Sequence, residues 1–369
     1  MKKCRHILRI SVTIILFLTL PTVLFLKFFP PVGKIPGKKR RETFKKKTPI
    51  FYHKKFHNLN EYSMMTGKND KKRSERVRPK KKIKVDKWKH LERAEQGKLK
   101  VTWLGHSSTL VQLGSKNIFL DPVLTKRTSP IGFVGPTRFS EIAVKPEQLP
   151  PIDVLFLSHD HYDHLDYHTI KEIEDKVSHY VVPLGVDSIL TGWGINENKI
   201  HPLDWWESIE IDGVTYTLIP SRHFAGRNPM KMNRTLWGGI HMTDQTHSVY
   251  YTGDTGYHDV FEKVYEYFGA VDLMMADSGQ YDEAWADSHM NAEQSVQAAK
   301  DAHAKWFLPV HWGAFVLSKH AWDEPPKMAV AAAEKLGVNL ATPRIGQTVD
   351  YDEIATFHEH WWEGEREEI

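Results

Sequence analysis

The run Ser158-His159-Asp160-His161-Tyr162-Asp163-His164-Leu165-Asp166 sets three imidazoles and a carboxylate at the spacing His-x-His-x-Asp-His. It follows a short apolar strand, Val154 to Leu157, which is itself preceded by Pro150-Pro151. In extended backbone, residues two apart point to the same side, so His159 and His161 share a face. Asp163 and His164 follow where the chain bends and can face a second cation. Nitrogen and carboxylate donors without thiolates suit Zn²⁺, with Fe or Mn as alternatives. The sole cysteine, Cys4, is remote in sequence. A chain with such a run therefore needs a sheet whose strand end holds a metal loop.

The same arrangement recurs downstream. Val214 to Ile219 runs into Pro220-Ser221-Arg222-His223, Ser248 to Tyr251 into Thr252-Gly253-Asp254, and Trp306 to Val310 into His311-Trp312-Gly313. A lone His or a Gly-Asp turn at a strand end is usually structural. Four coordinated instances in one chain favour a shared centre.

At these positions the sequence resembles the metallo-β-lactamase superfamily, and its two-metal hydrolases in particular. Further stretches resemble phospholipase D enzymes that hydrolyse N-acylphosphatidylethanolamine and their bacterial relatives: Trp103 to Ser108, Asp121-Pro122, Ser129-Pro130, Gly135 to Phe139, Leu236 to Gly239, Thr252 to Tyr257 and Pro309 to Phe315. The likeness covers about residues 98–350. It implies an α/β (α+β) fold, a metallo-β-lactamase-like αβ/βα sandwich with the metals at one edge. It also implies that His159, His161 and His223 bind one ion, that Asp163, His164 and His311 bind the other, and that Asp254 bridges them. His289 matches an active-site position, where an imidazole can hydrogen-bond a phosphate oxygen or assist the leaving group. Asp121 resembles a carboxylate that holds a ligand in place, and Arg138 is placed to meet a phosphate or to serve structure. The imidazoles of His106, His241, His247, His258, His303 and His320 are read as structural.

Charge divides the chain. Between Lys34 and Lys89 there are 22 Lys+Arg against 5 Asp+Glu, a net +17, whereas the chain from His90 onward carries a net −18. Ahead of both, Ile10 to Leu26 is an uncharged run of 17 residues preceded by Lys2, Lys3, Arg5 and Arg9. With its continuation to Phe29 it approaches the length of a bilayer span, and no small-residue cleavage site follows it. The expected organisation is an N-terminal membrane anchor with one transmembrane helix over 1–33 and a basic, flexible arm over 34–97. A hydrolase domain over 98–350 and an acidic C-terminal tail over 351–369 complete it. More Lys and Arg follow the span than precede it, which favours a catalytic domain on the cytoplasmic side of the cell membrane, although the four basic residues ahead of the span can themselves keep the N-terminus inside. Clusters such as Lys45-Lys46-Lys47 would be drawn to an anionic membrane surface. Nucleic acid is disfavoured as a partner, because no aromatic platform accompanies the basic arm and the catalytic part is acidic. A homodimer is left open.

Strands are expected near 100–105, 108–113 and 117–120 and at the metal-bearing segments. Helices are expected after Asp166, over Val260 to Phe268, from Asn291 with Gln294 as a capping pair, and from Pro325 to a stopping Gly337. Two cations, Zn²⁺ by the donor set, would share a water and lower its pKa toward about 7, so that no nucleophilic Ser or Cys is needed. Hydroxide on the metals would then attack a phosphodiester such as N-acylphosphatidylethanolamine, a membrane phospholipid. The alternatives are a lactone, thioester or β-lactam hydrolase on the same fold, or a membrane-tethered metal-binding or sensing protein without turnover.

Overall fold

The computed structural model describes residues 24–68, 72–87, 93 and 95–364. The strand ahead of the His-rich run, Ile152–Phe156, lies inside a seven-stranded sheet. It pairs in parallel with Lys116–Leu120 on one side and Val177–Pro183 on the other, with Ile118 opposite Val154 and Val154 opposite His179. Such a strand is covered on both faces, and its nearly continuous apolar sequence is what that position requires. The sheet continues to Ile200–Leu203 at one edge. At the other, three antiparallel pairings lead through Thr109–Leu113 and Lys100–Trp103 to Thr348–Asp350.

A second sheet of six strands repeats this plan. Ser208–Ile211, Val214–Ile219, Gly239–Thr243 and Ser248–Tyr251 pair antiparallel, and Leu273–Asp277 and Trp306–Val310 then add in parallel. One buried core takes Val101, Val111, Ile118 and Val154 from the first sheet and Val214, Leu218, Ile240, Val249 and Met275 from the second. The outer face of the second sheet is covered by helices Val260–Phe268, Ala292–Asp301 and Glu324–Leu336, which bury Phe261, Val264, Val296, Ala329 and Ala333. The expected sandwich of two sheets between helices is the observed one. Its helix signals also hold: Asn291 and Gln294 form a reciprocal capping box, and Gly337 ends the last long helix at φ 69°. The sequence reading did not include strands Val177–Pro183, Ile200–Leu203, Ser208–Ile211, Gly239–Thr243, Leu273–Asp277 and Thr348–Asp350.

Two expectations about the chain ends need correction. The basic arm over 34–97 was expected to be flexible. Over its described residues it instead contains helix Lys38–Lys47 and a hairpin of Phe51–Tyr52 with Lys55–Phe56. Phe44, Phe51, Phe56 and Ile83 are at most 5% exposed and belong to the main core. The physical reason is that a few apolar side chains, each stabilising by about 1.5–3 kcal/mol when buried, outweigh a composition that averages as basic. The lysines stay on the solvent side. The stretch set apart as an acidic tail likewise buries Ile354, Trp361 and Trp362, with Trp361 stacked on Trp312 at 5.4 Å.

The apolar run from Ile10 falls outside the described residues up to position 23, and its end is helical from Leu24 to Phe28. No helix among the described residues is long and apolar enough to cross a membrane. Directly after it, the Pro31 carbonyl accepts from Nε and a terminal nitrogen of the buried Arg227 at 2.8 and 2.6 Å. The chain is thus fastened to the domain within a few residues of that run.

His241 shows how the core treats an imidazole. It is buried, stacked on Phe268 at 4.1 Å, and neither ring nitrogen has a hydrogen-bond partner among the described residues. Burial lowers its pKa to about 4. A folded pKa below the unfolded value of about 6.5 means that stability is full above pH 6.5 and is lost as pH falls toward 4, by about 2 kcal/mol at pH 5. His241→Phe should therefore gain stability over the wild type as pH drops from 7.5 to 5. Urea unfolding at the two pH values checks this, and an advantage that does not grow with acidity would refute it.

Candidate metal centre

The metal loop is held by one carboxylate beneath it. Asp121, fully buried at the end of strand Lys116–Leu120, accepts from Ser158 N at 2.7 Å, Ser158 Oγ at 2.5 Å and Tyr251 Oη at 2.6 Å. It also contacts His164 Nδ1 at 2.7 Å. On the far side of the loop, Asp166 accepts from Thr169 N at 2.9 Å and caps the helix Tyr167–Ile173. Asp160 is turned away and accepts from Gly226 N, Arg227 N and the Thr235 hydroxyl at 2.9, 3.2 and 3.0 Å. That leaves Asp163 as the loop carboxylate that faces inward.

The strand ends converge on two groups of donors, and a third, Asp254, Asp277, His289 and His311, overlaps them. Of the two, His159, His161, His223 and Asp254 form one, and His106, Asp163, His164 and His311 the other, with the facing atoms of each group within 4.8 Å of one another. Asp254 reaches both. Its Oδ2 lies 3.1 Å from His164 Nε2 and 3.4 Å from His311 Nε2, and also 3.7 Å from His159 Nε2 and 3.8 Å from His223 Nε2. The structure thus brings together all seven residues expected as ligands, and it adds His106 to the group of Asp163, His164 and His311.

Outer partners fix which nitrogen each ring turns inward. His223 Nδ1 bonds the Ser288 carbonyl at 3.0 Å, His311 Nδ1 contacts Asp277 Oδ1 at 2.9 Å, and Ser158 Oγ lies 2.9 Å from His159 Nδ1. Each leaves Nε2 for the centre. His161 instead presents Nδ1, 2.9 Å from His159 Nε2 and 3.2 Å from His223 Nε2. Burial first, and neighbouring imidazoles second, hold His159 well below its ordinary pKa; burial also holds His223 well below it, so both rings are neutral donors. Burial lowers His161 as well, and three ring nitrogens this close and this neutral are what a shared cation would require.

Two further observations fit a metal. The buried Asp254 Oδ1 has no hydrogen-bond partner among the described residues, and His164 Nε2 faces the Asp254 carboxylate at 3.1 Å. An unpartnered buried polar atom is costly unless something binds it. The charge balance points the same way. Burial would raise Asp163 and Asp254, yet His164 and the neighbouring imidazoles hold both well below the usual carboxylate range. Burial would lower His164 and His311, yet carboxylates led by Asp254 raise His164 well above its ordinary value and His311 to about 10. Positive charge is what the middle of this cluster attracts.

His289 lies beside the donors, its Nδ1 2.7 Å from Asp277 Oδ2 and 4.0 Å from Asp254 Oδ2. It lines a cavity of about 320 Å³ together with His161, Asp163, Asp254 and His311. Arg138 does not face this cavity. It is buried, donates to the Val123 and Thr125 carbonyls at 2.6 and 3.1 Å, and stacks over Phe315. His106 was read as structural, but it is 2.9 Å from Asp163 Oδ2 and burial lowers its pKa to about 3. As a neutral ring it donates to that carboxylate. Asp277 was missed altogether, although it braces both His289 and His311. The signal was available, because it ends an apolar strand, Leu273–Asp277, as the other site residues do. His241, His247, His258, His303 and His320 lie outside the donor groups.

Asn58, from the basic arm, brackets the backbone of His223. Its Nδ2 donates to the His223 carbonyl at 2.8 Å, and its Oδ1 accepts from His223 N at 3.1 Å. Asn58→Leu should weaken metal binding about tenfold by loosening this ligand. Titration with a competing chelator measures the change, and an unaltered affinity would remove Asn58 from the support of the centre.

Residues 116–312 match the family of the Beta-lactamase superfamily domain, and the chain belongs to that superfamily. Its fold and site are those of a metal-dependent hydrolase of the metallo-β-lactamase type, with divalent metal ions as the cofactor. An uncharacterized protein of Mycobacterium tuberculosis is 38% identical over 274 residues, which are 73% of this chain and 73% of the relative. N-acyl-phosphatidylethanolamine-hydrolyzing phospholipase D 1 of Caenorhabditis elegans is 34% identical over 238 residues, 61% of this chain and 67% of the relative. Among solved structures, the metallo hydrolase Igni18 of Ignicoccus hospitalis shares the fold with a TM-score of 0.54. It is 17% identical and covers 69% of this chain and 98% of its own.

Proposed function

We propose that this chain is a phospholipase D-type phosphodiesterase with two Zn²⁺ ions, acting on N-acylphosphatidylethanolamine or a related membrane phospholipid. The observation that carries the reading is Asp254 Oδ2, within 3.8 Å of imidazoles from both donor groups, at the floor of a cavity with an apolar side. The likeness to the nematode phospholipase supports the substrate class. His159, His161 and His223 would hold one ion, Asp163, His164 and His311 the other, and Asp254 both. When bound, the ions would supply Lewis acidity and make water nucleophilic near neutral pH.

The chain's own residues do the rest. Asp121, Asp277 and the Ser288 carbonyl keep the ligand rings in one orientation. His289, fixed through Nδ1 by Asp277, would as the imidazolium have an Nε2–H left to donate to a non-bridging phosphate oxygen or to give its proton to the departing alkoxide. The products would be phosphatidic acid and an N-acylethanolamine. The apolar run from Ile10 would hold the enzyme at the cell membrane as a single-pass anchor, with its catalytic domain on the cytoplasmic side. The exposed lysines of the arm would add attraction to anionic lipid.

Incubation of the metal-loaded protein with a panel of phospholipids, lactones and β-lactams, with products identified by mass spectrometry, tests this. Phosphatidic acid and the headgroup alcohol, absent with His159→Ala, are expected. Ring opening of a lactone or β-lactam with phospholipids intact would reject the reading.

A further inference from the structure

The arm residues that follow Asn58 are fastened along the rim of the cavity. Tyr62 Oη bonds Ser288 Oγ at 2.8 Å, Ser63 N donates to Asp287 at 2.9 Å, and Thr66 N donates to the Ala284 carbonyl at 2.8 Å. The Thr66 hydroxyl donates to the Glu283 carbonyl at 2.6 Å and accepts from Ala286 N at 2.9 Å. At Gly67 an added Cβ would come within 3.2 Å of the Glu283 carbonyl, so the strap lies close against that loop. One end of it grips the loop of His223 and the other the loop that carries Trp285 and leads to His289.

Between these fastenings lie Met64 and Met65, which line the cavity although they are 45% and 59% exposed. With Phe224, Trp285 and Leu317 they give it an apolar side, while Asp254, His289 and His311 are among its polar residues. Thioether side chains are unbranched and polarizable, and they adapt to the shape of a flexible chain. Their half-exposed surface is apolar area still available for burial by a ligand.

We propose that Met64 and Met65 are specificity-determining residues, forming a wall for an alkyl or acyl chain that the substrate carries next to its phosphate ester. The proposal rests on the phosphodiesterase reading and adds to it the part of the chain that selects the apolar portion of the substrate. The segment that reads as a basic tether is then also one wall of the site.

Binding of dodecyl phosphate, below its micelle concentration, and of ethyl phosphate to the metal-loaded full chain tests the wall without turnover. The wild type should prefer the dodecyl ester. Met64→Ser/Met65→Ser should reduce that preference about tenfold, the loss expected when about two methylenes no longer find apolar contact. Met64→Leu/Met65→Leu should restore it, which separates a lost wall from a disturbed fold. No preference in the wild type, an unchanged preference in the serine pair, or equal weakening of both esters would overturn the proposal. Should phospholipids prove not to be substrates while the preference still falls in the serine pair and returns in the leucine pair, the wall stands and the phosphodiesterase reading fails. Should phospholipids be cleaved with an unmoved preference, the reading stands and the wall fails.

Discussion

Asp254→Asn is expected to empty most of the centre and to lower hydrolysis about 1,000-fold or more, equivalent to about 4 kcal/mol of transition-state stabilisation. One atom, Oδ2, faces His159 and His223 on one side and His164 and His311 on the other, so removal of its charge weakens both donor groups together. His311→Ala should behave differently. It subtracts one donor from the group of Asp163 and His164 and leaves His159, His161 and His223 in place. Elemental analysis beside steady-state kinetics distinguishes the two variants. Equal metal loss in both, or full metal content in Asp254→Asn, would contradict the bridging role.

The second large effect falls on a residue that touches no substrate. Asp121→Leu should destabilise the fold by about 3–5 kcal/mol, because it leaves Ser158 N, Tyr251 Oη and His164 Nδ1 buried without their acceptor. Ordinary domains have about 5–15 kcal/mol in total, so the variant should unfold at markedly lower urea. It should also lose metal, since His164 would no longer be fixed with Nε2 inward. Chemical unfolding with metal analysis checks both, and a variant within about 1 kcal/mol of the wild type and fully loaded would refute the assignment.

The centre was legible because its donors occur where strands end. Strand ends are marked in sequence by an apolar run followed by a turn, so His159, His161, Asp163 and His164 could be placed, as could His223, Asp254 and His311. The support around them was not legible to the same degree. Asp277 sits at such an end, but it carries no imidazole neighbour in sequence and meets His289 and His311 only through folding. His106 meets Asp163 across 57 positions, a contact that no local pattern announces. Strands such as Val177–Pro183 and Ile200–Leu203 were missed for a related reason. Their sequences, with His179, His201 and Pro202 among them, break the apolar run that marks a buried strand. The arm misled through composition. Its charge dominates any average, whereas its fold is decided by Phe44, Phe51, Phe56 and Ile83, and its place in the site by Asn58, Met64 and Met65.

In the proposed reaction, water attacks phosphorus at the cluster around Asp254. Hydrolysis of N-acylphosphatidylethanolamine in isotopically heavy water, followed by mass spectrometry of the products, tests it most directly. One heavy oxygen in the phosphatidic acid and none in the N-acylethanolamine is the expected result. Heavy oxygen in a released carboxylic acid or in the alcohol would place the attack on carbon and contradict it.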